Sequence, residues 1–354
     1  MVKSYYLTIT QYENLGDLVI NKMLLEEISR YSEVYLDYGD VQNSFIDELK
    51  SSGYKHDVFK TYGLSLHSRF KLLKTLLFIK KIGIKYFFVS PGPKNFSTLF
   101  SASTLGLLFV FLWCKLCGIK AYYIGVDLRN RNRSSKIYNS LLNIFLEKIY
   151  LRDTVMIKKI NKPNIEYIPD VSLLFDKNVK TYEKENLVLV SFRKLDNEQL
   201  SKDFEEYLDS VIKYYSDKDY KIKFFYQVER DRDYNVYLYS KYKGLDNVSL
   251  CKSIVWYGDI ESTYASSSVV VSNRMHVLLL GLIYRSNIIT MPGDRVSTTK
   301  ISYVFNSLGL ADSIYDINEK EFKGLKLDLS IDEISKLVHD QRSVIEDNIN
   351  NIFR

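Results

Sequence analysis

One pattern constrains this chain more than any other. Short apolar runs rich in β-branched and aromatic residues stop at a polar turn, and a helical period then begins. It is sharpest at 269–280, where Val269-Val-Val271 ends at Ser272-Asn273, Arg274 and His276 follow, and a second apolar run starts at Val277. This order reads as a buried strand, a turn and a helix entering the core, the unit of a parallel α/β sheet. It sets Arg274 and His276 at the carboxyl end of a strand and in the first turn of a helix. Ligands of open α/β sheets bind at that edge. Helix N-terminal N–H groups favour anions there, and arginine adds a planar fork suited to carboxylate or phosphate. His276, one of four histidines, can carry a proton near neutral pH. The competing reading is a cap and turn whose arginine pairs with a carboxylate and whose histidine belongs to the core.

The same unit recurs along the chain. Tyr5 to Thr10 reads as a first strand, a turn holding Asn14-Leu-Gly-Asp17 follows, and Leu18 to Tyr31 reads as a helix with Asp17 at its cap. Gly16 would let a ligand approach the backbone, unless the turn is an ordinary βα connection. Further strands are expected at Glu33–Asp37, at Tyr86–Ser90, which ends in the loop Pro91-Gly-Pro-Lys-Asn95, and at Lys120–Val126. Asn95 thus falls where a ligand would sit. After the last of these strands come Arg129, Arg131 and Arg133, either an anion-binding loop or a solvated one. Residues 176–186 are charged and lack an apolar period, which reads as a linker. Beyond it the pattern restarts at Leu187–Phe192 and runs to a C-terminal helix over 331–354.

Length and this repeated pattern predict two doubly wound halves facing each other, the layout of a two-domain transferase. The expected division is 1–178 and 179–330, with helix 331–354 packing back on the first domain. The net charge of +6 over 354 residues is far from a nucleic-acid-binding balance. Three cysteines make an odd count and fit a reducing cytosol better than a disulfide framework. The Cys114-Lys-Leu-Cys117 spacing sits in an apolar helical stretch without a partner motif, so both cysteines are expected as packing residues. The opening residues read as a strand and not as a secretory signal. Two segments bear on membranes. Phe96 to Trp113 is uncharged and nearly long enough to span, yet lies between two strand-like runs and reads as a buried helix, with an exposed apolar face as the alternative. Leu64 to Lys81 reads as a basic amphipathic helix, either a solvated face or a peripheral contact with an anionic bilayer.

With these pieces placed, the chain resembles the polysaccharide pyruvyl transferase family. The resemblance is carried in order by Asn14-Leu-Gly-Asp17, Leu151-Arg-Asp153, Pro169-Asp-Val-Ser-Leu-Leu-Phe175, Ser272-Asn-Arg-Met-His276, Lys300 and Leu308-Gly-Leu310. It departs at Ser90-Pro-Gly-Pro-Lys-Asn95 and at Gly125-Val-Asp-Leu128, where the family often has other glycine-containing turns. The resemblance implies a GT-B-like fold of two Rossmann-like domains facing across a cleft, the first on the acceptor side and the second on the donor side. It implies a transferase that moves the enolpyruvyl unit of phosphoenolpyruvate onto two hydroxyls of a sugar, free or lipid-linked. It implies no metal and no further cofactor. Arg274 and Lys300 would meet the donor's anionic groups, and His276 would donate or accept the proton. Asp17 would serve as base or acceptor anchor, with Asn14, Gly16, Ser272, Asn95 and Arg129 lining the substrates. Two other readings remain: a GT-B glycosyltransferase using a nucleotide sugar, and a non-catalytic membrane-associated scaffold.

Overall fold

In the computed structural model, the described residues are 1–91, 101–128, 133–292, 295–319 and 321–354, the side chains of 295–299 excepted. They form two compact units: Met1–Tyr12, Asp17–Val171 and Val344–Arg354 in the first, Glu13–Gly16 and Ser172–Ser343 in the second.

The first unit runs β1 (Val2–Leu7), α1 (Leu15–Ser29), β2 (Ser32–Asp37), α2 (Ser44–Leu49), β3 (His56–Asp57), α3 (Val58–Tyr62), α4 (Leu72–Lys81), β4 (Tyr86–Val89), α5 (Ala102–Leu116), β5 (Lys120–Val126), α6 (Arg133–Phe145), β6 (Lys148–Leu151), α7 (Thr154–Ile160) and β7 (Ile165–Tyr167). Its sheet has the order β3-β2-β1-β4-β5-β6-β7, and every pairing is parallel. Aromatic rows fill both faces. Tyr35, Tyr5 and Phe87 stand in register on β2, β1 and β4, with the last two rings stacked at 5.4 Å. On the other face Phe88 and Tyr86 meet Phe353, from the end of the C-terminal helix. Gly125 adopts φ +69, a conformation costly for other residues, and the β5–β6 register shifts beside it.

The second unit runs β8 (Leu187–Ser191), α8 (Glu198–Ser216), β9 (Lys221–Phe224), α9 (Arg232–Tyr242), β10 (Val248–Leu250), α10 (Ile260–Tyr264), β11 (Val269–Ser272), α11 (Met275–Ile283), β12 (Asn287–Thr290) and α12 (Arg295–Ser307). The long α13 (Ile331–Phe353) follows, and its residues from Val344 onward belong to the first unit. The second sheet is also all parallel, in the order β10-β9-β8-β11-β12. Its core joins Val188, Val190, Phe204, Leu208, Ile222, Phe224, Val269 and Val271. In each sheet the strand order reverses once, between β1 and β4 in the first and between β8 and β11 in the second. These are the switch points where α/β sheets open a crevice.

Local structure departs from the sequence expectations in several places. The helix expected over 64–81 begins only at Leu72. Before it, the Ser65 hydroxyl and the Leu66 N–H donate to the buried Asp37 carboxylate, each at 2.7 Å, which holds the chain in a turn. The apolar helix expected from Phe96 runs from Ala102 to Leu116 and is capped by Ser101; residues 96–100 lie outside the described residues. The mixed stretch 41–62 holds α2, the two-residue edge strand β3 and α3, elements too short to leave a period. The charged stretch 176–186 is pinned down and not a free linker. Asp176 is buried, forms an ion pair with Arg285 at 2.5 Å and accepts from Arg342 at 2.7 Å. The Lys184 ammonium donates to the carbonyls of Ala265 and Tyr284, and burial, then Arg285, lower its pKa to about 8. No helix among the described residues is long and apolar enough to cross a membrane.

Of 29 tyrosines, many are buried, and burial raises the pKa of Tyr5, Tyr6, Tyr138 and Tyr264 well above the ordinary 10. In the unfolded chain these phenols ionise near 10, so the stability they carry is complete below that pH and lost above it. Stability is expected to fall steeply above about pH 10. Tyrosinate absorbance should then rise in one step with loss of helical circular dichroism. Ionisation of most tyrosines with the helical signal intact would contradict this.

Candidate functional site

The two sheet-reversal points differ in what they present. At the first, the Ser90 hydroxyl accepts from the Ile9 N–H at 2.7 Å and donates to the Ile9 carbonyl at 2.9 Å, which ties the ends of β1 and β4 together. Just beyond, the Asp17 carboxylate accepts from the Thr10 hydroxyl at 2.8 Å and the Gln11 N–H at 3.1 Å. Asp17 is buried and lies inside the first turn of α1, not at its cap. Asn14 holds the capping place, its side chain accepting from the Gly16 N–H at 3.0 Å. Asn95 and Arg129 lie outside the described residues. The Leu151-Arg-Asp153 motif is built into the frame. Arg152 and Asp170 form a buried ion pair at 2.7 Å, and Asp153 caps α7 by accepting from the Met156 N–H.

At the second reversal point, β8 and β11 lie side by side and end together, Ser191 opposite Ser272. The Ser272 hydroxyl is spent on the turn. It donates to the Ser191 carbonyl and accepts from the Arg274 N–H at 2.8 Å. Two asparagines then fix the chain leaving β8. Asn235, from α9, accepts from the Phe192 N–H at 2.9 Å and donates to its carbonyl at 2.8 Å. Asn273 does the same for Arg193, at 2.8 and 2.9 Å. Each closes a pair of backbone groups that would otherwise be stranded at a buried edge. Neither was singled out from the sequence as a site residue, since Asn273 after a strand reads as turn chemistry and Asn235 within a helix carries no local signal.

The edge so held carries arginines. Arg274 caps α11, is largely buried, and pairs with the Asp231 carboxylate. Its Nε has no hydrogen-bond partner among the described residues. Burial lowers its pKa, Asp231 raises it, and the charges of Arg230 and Arg193 lower it again. The charges of Arg193, just after β8, and of Arg230, beside Asp231, therefore reach Arg274, while Asp231 pairs with Arg274 and Asp196 with Arg193 at 3.9 Å. Positive charge gathered in this way favours an anion. The pairing of Arg274 with a carboxylate, one of the two alternatives the sequence left open, is thus present, and it leaves part of the guanidinium fork uncommitted.

His276 is the second residue of α11, in its first turn. Its imidazole occupies the space beside Gly16. A Cβ built on Gly16 would sit 2.1 Å from its Nδ1 and 2.5 Å from its Cγ. The close approach that a glycine allows there is made by this ring and not by a ligand. The segment 13–16 is held to the same unit by a bridge between Asn14 and Val228. Lys300 lies on α12, the helix after β12. Cys114 is buried, and burial raises its thiol pKa. Among the described residues no group of three or more His, Cys, Asp or Glu is placed to hold a metal ion. A cavity of about 360 Å³ in the first unit, lined by Asn43, Asp47, Lys50 and Lys60 among others, involves none of the residues singled out above.

Two parallel doubly wound units of this kind define a GT-B-type fold, and solved structures bear this out. The chain is similar to UDP-GlcNAc 2-epimerase from Neisseria meningitidis, with 10% identity, 99% of this chain and 98% of that chain covered, and a TM-score of 0.59. It is similar to the UDP-GlcNAc 2-epimerase from Methanocaldococcus jannaschii, with 14% identity, 96% and 99% coverage and a TM-score of 0.52. It is also similar to MurG from Acinetobacter baumannii, with 11% identity, 99% of both chains and a TM-score of 0.52. No curated protein matches the sequence. The family model for polysaccharide pyruvyl transferases matches residues 14–289, most of the chain, and the protein belongs to that family.

A methyl group at residue 16 must displace the imidazole of His276. Gly16→Ala is expected to cost about 1–3 kcal/mol through overpacking and to move the His276 ring resonances in NMR spectra while the fold survives. An unchanged His276 signal and an unchanged melting temperature would contradict the contact.

Proposed function

We propose that the protein transfers the enolpyruvyl unit of phosphoenolpyruvate onto two hydroxyls of a sugar. The acceptor is a cell-surface polysaccharide or its lipid-linked precursor, met at the inner face of the cell membrane. The observation that carries this reading is Arg274 at the start of α11, largely buried beside Asp231 with its Nε unpartnered among the described residues, two residues before His276 and within reach of the charges of Arg193 and Arg230. Phosphoenolpyruvate bears a phosphate and a carboxylate on three carbons, so it suits a guanidinium with further positive charge around it.

In this proposal Arg274, oriented by Asp231, grips one anionic group through its uncommitted edge, and Arg193 and Arg230 share the other. His276 gives a proton to the methylene carbon as the first sugar hydroxyl attacks the adjacent carbon. The bond from that carbon to the phosphate oxygen then breaks, phosphate leaves with the electron pair, and the second hydroxyl closes the ketal. One hydroxyl proton replaces the proton His276 gave, and the other leaves with the phosphate. Lys300 offsets charge on the departing phosphate. Asn14, Gly16 and Ser272 serve by placing backbone and imidazole. Asp17, committed to the turn at Thr10 and Gln11, orders that loop for the acceptor.

A second reading is favoured by the similar solved structures, which include UDP-GlcNAc 2-epimerases: transfer from a nucleotide sugar within the same fold. The discriminating experiment is phosphate release from phosphoenolpyruvate with a lipid-linked saccharide acceptor. His276→Ala is expected to slow it by roughly 10²–10⁴-fold with donor binding retained, and Arg274→Ala to weaken donor binding. No phosphate release, together with thermal stabilisation by UDP and none by phosphoenolpyruvate, would replace this proposal with the second reading.

A further inference from the structure

The charge of this chain is unevenly laid down. Between Asp57 and Asp127 there is no acidic residue, while the same stretch carries nine lysines and Arg69. It supplies ten of the 49 basic side chains and none of the 43 acidic ones, so the remainder of the chain is net acidic. The two longer helices of the stretch lie on one face of the first sheet. Phe78 of α4 meets Tyr35 at 6.4 Å between centroids, and Phe111 of α5 meets Phe87 at 6.3 Å. Tyr35 and Phe87 belong to the same registered row on either side of Tyr5, and registered residues of parallel strands point to the same side.

The sides of these helices turned away from the sheet are not polar. On α4, Leu76 and Ile79 are buried, but Leu73 and Leu77, one turn apart, are 66% and 65% exposed, and Phe70 just before them is 98% exposed. On α5, Leu105, Phe109, Leu112 and Leu116 form an exposed stripe opposite the buried Leu107, Leu108 and Phe111. The neighbouring α6 adds Ile137 and Ile144, and is joined to α5 by a bond from the Lys115 ammonium to the Ile144 carbonyl. Apolar side chains exposed along three helices, two of them in contact, mark an interaction site, and the lysines among them point to its partner.

From this we infer that the outer face of α4, α5 and α6 docks on an anionic lipid surface. The apolar stripe enters the acyl boundary, and Lys74, Lys80 and Lys81 stay among the headgroups. A second copy of the chain is the poorer occupant, since an isologous contact would set lysine against lysine with no carboxylate in the stretch to pair them. No described helix can cross the bilayer, so the contact is peripheral. The inference shares with the proposed function only its placement at a membrane and does not depend on which group is transferred.

The test is sedimentation of the full chain with phosphatidylcholine vesicles, with and without phosphatidylglycerol, read by pelleting alone. Binding is expected only to the anionic vesicles and should weaken as salt rises. Lys74→Glu/Lys80→Glu/Lys81→Glu should lower the affinity at least tenfold, and so should Phe70→Ser/Leu77→Ser/Leu116→Ser, both with wild-type melting curves because every altered side chain is exposed. Equal binding to neutral vesicles, or either variant binding as wild type, would overturn the inference. So would a concentration-dependent dimer in sedimentation velocity that the serine variant abolishes, which would assign the face to a second copy. Phosphate release with a soluble acceptor is a separate readout, so the two proposals fail independently.

Discussion

A charged mouth at the end of a parallel sheet requires that the chain leaving each strand keep its backbone hydrogen bonds without a neighbouring strand to supply them. In the second unit two side-chain amides meet that requirement. Asn235 and Asn273 each take both polar groups of one residue, Phe192 and Arg193, so the turn after β8 is fixed at two successive positions. Leaving such a pair buried and unmet costs about 1–3 kcal/mol per group. The place of Arg193, and with it the shape of the arginine cluster, rests on these amides. Asp231 has a similar double use. Its carboxylate aims Arg274, and its backbone carbonyl accepts from Asn235.

The first unit solves the corresponding problem with hydroxyls and carboxylates. Ser90 bridges Ile9, Asp17 gathers Thr10 and Gln11, and Asp37 gathers Ser65 and Leu66. These residues sit at the ends of β1, β2 and β4 and define the loops by strong charge-assisted bonds. The difference in chemistry follows from what each edge must hold. Amides carry no charge and add no carboxylate to the edge that holds Arg193 and Arg274, whereas the carboxylates of the first commit themselves to the chain.

Much of this architecture was legible in the sequence because its signals are local. The run at 269–280 is apolar, then polar, then apolar, and β11 and α11 fall on it. The pattern restarts at Leu187, where β8 begins the second sheet. What the sequence hid was long-range. Asp176 reads as one charge among many in a polar stretch, yet it is the acceptor for arginines more than a hundred residues further on. The helix over 64–81 loses about its first two turns, where Asp37 holds Ser65 and Leu66, which a hydrophobic period cannot register. Gly16 shows as a glycine in a βα turn, and only its distance to His276 says what the missing side chain makes room for. Asn235 lies within a helix with nothing around it to mark a clamp.

The far end of α11 is as firmly set as its mouth. Arg285, the residue after its cap, sits at φ +66, a backbone conformation uncommon for a side chain of that size. Its guanidinium reaches Asp176 and Ser335, and Arg342 of α13 meets Asp176 from its own side. The helix that presents Arg274 and His276 is therefore backed by a rivet of two cations on one anion. A charge arriving at its first turn pushes against an anvil rather than a spring, and any give in response to it is left to the loops.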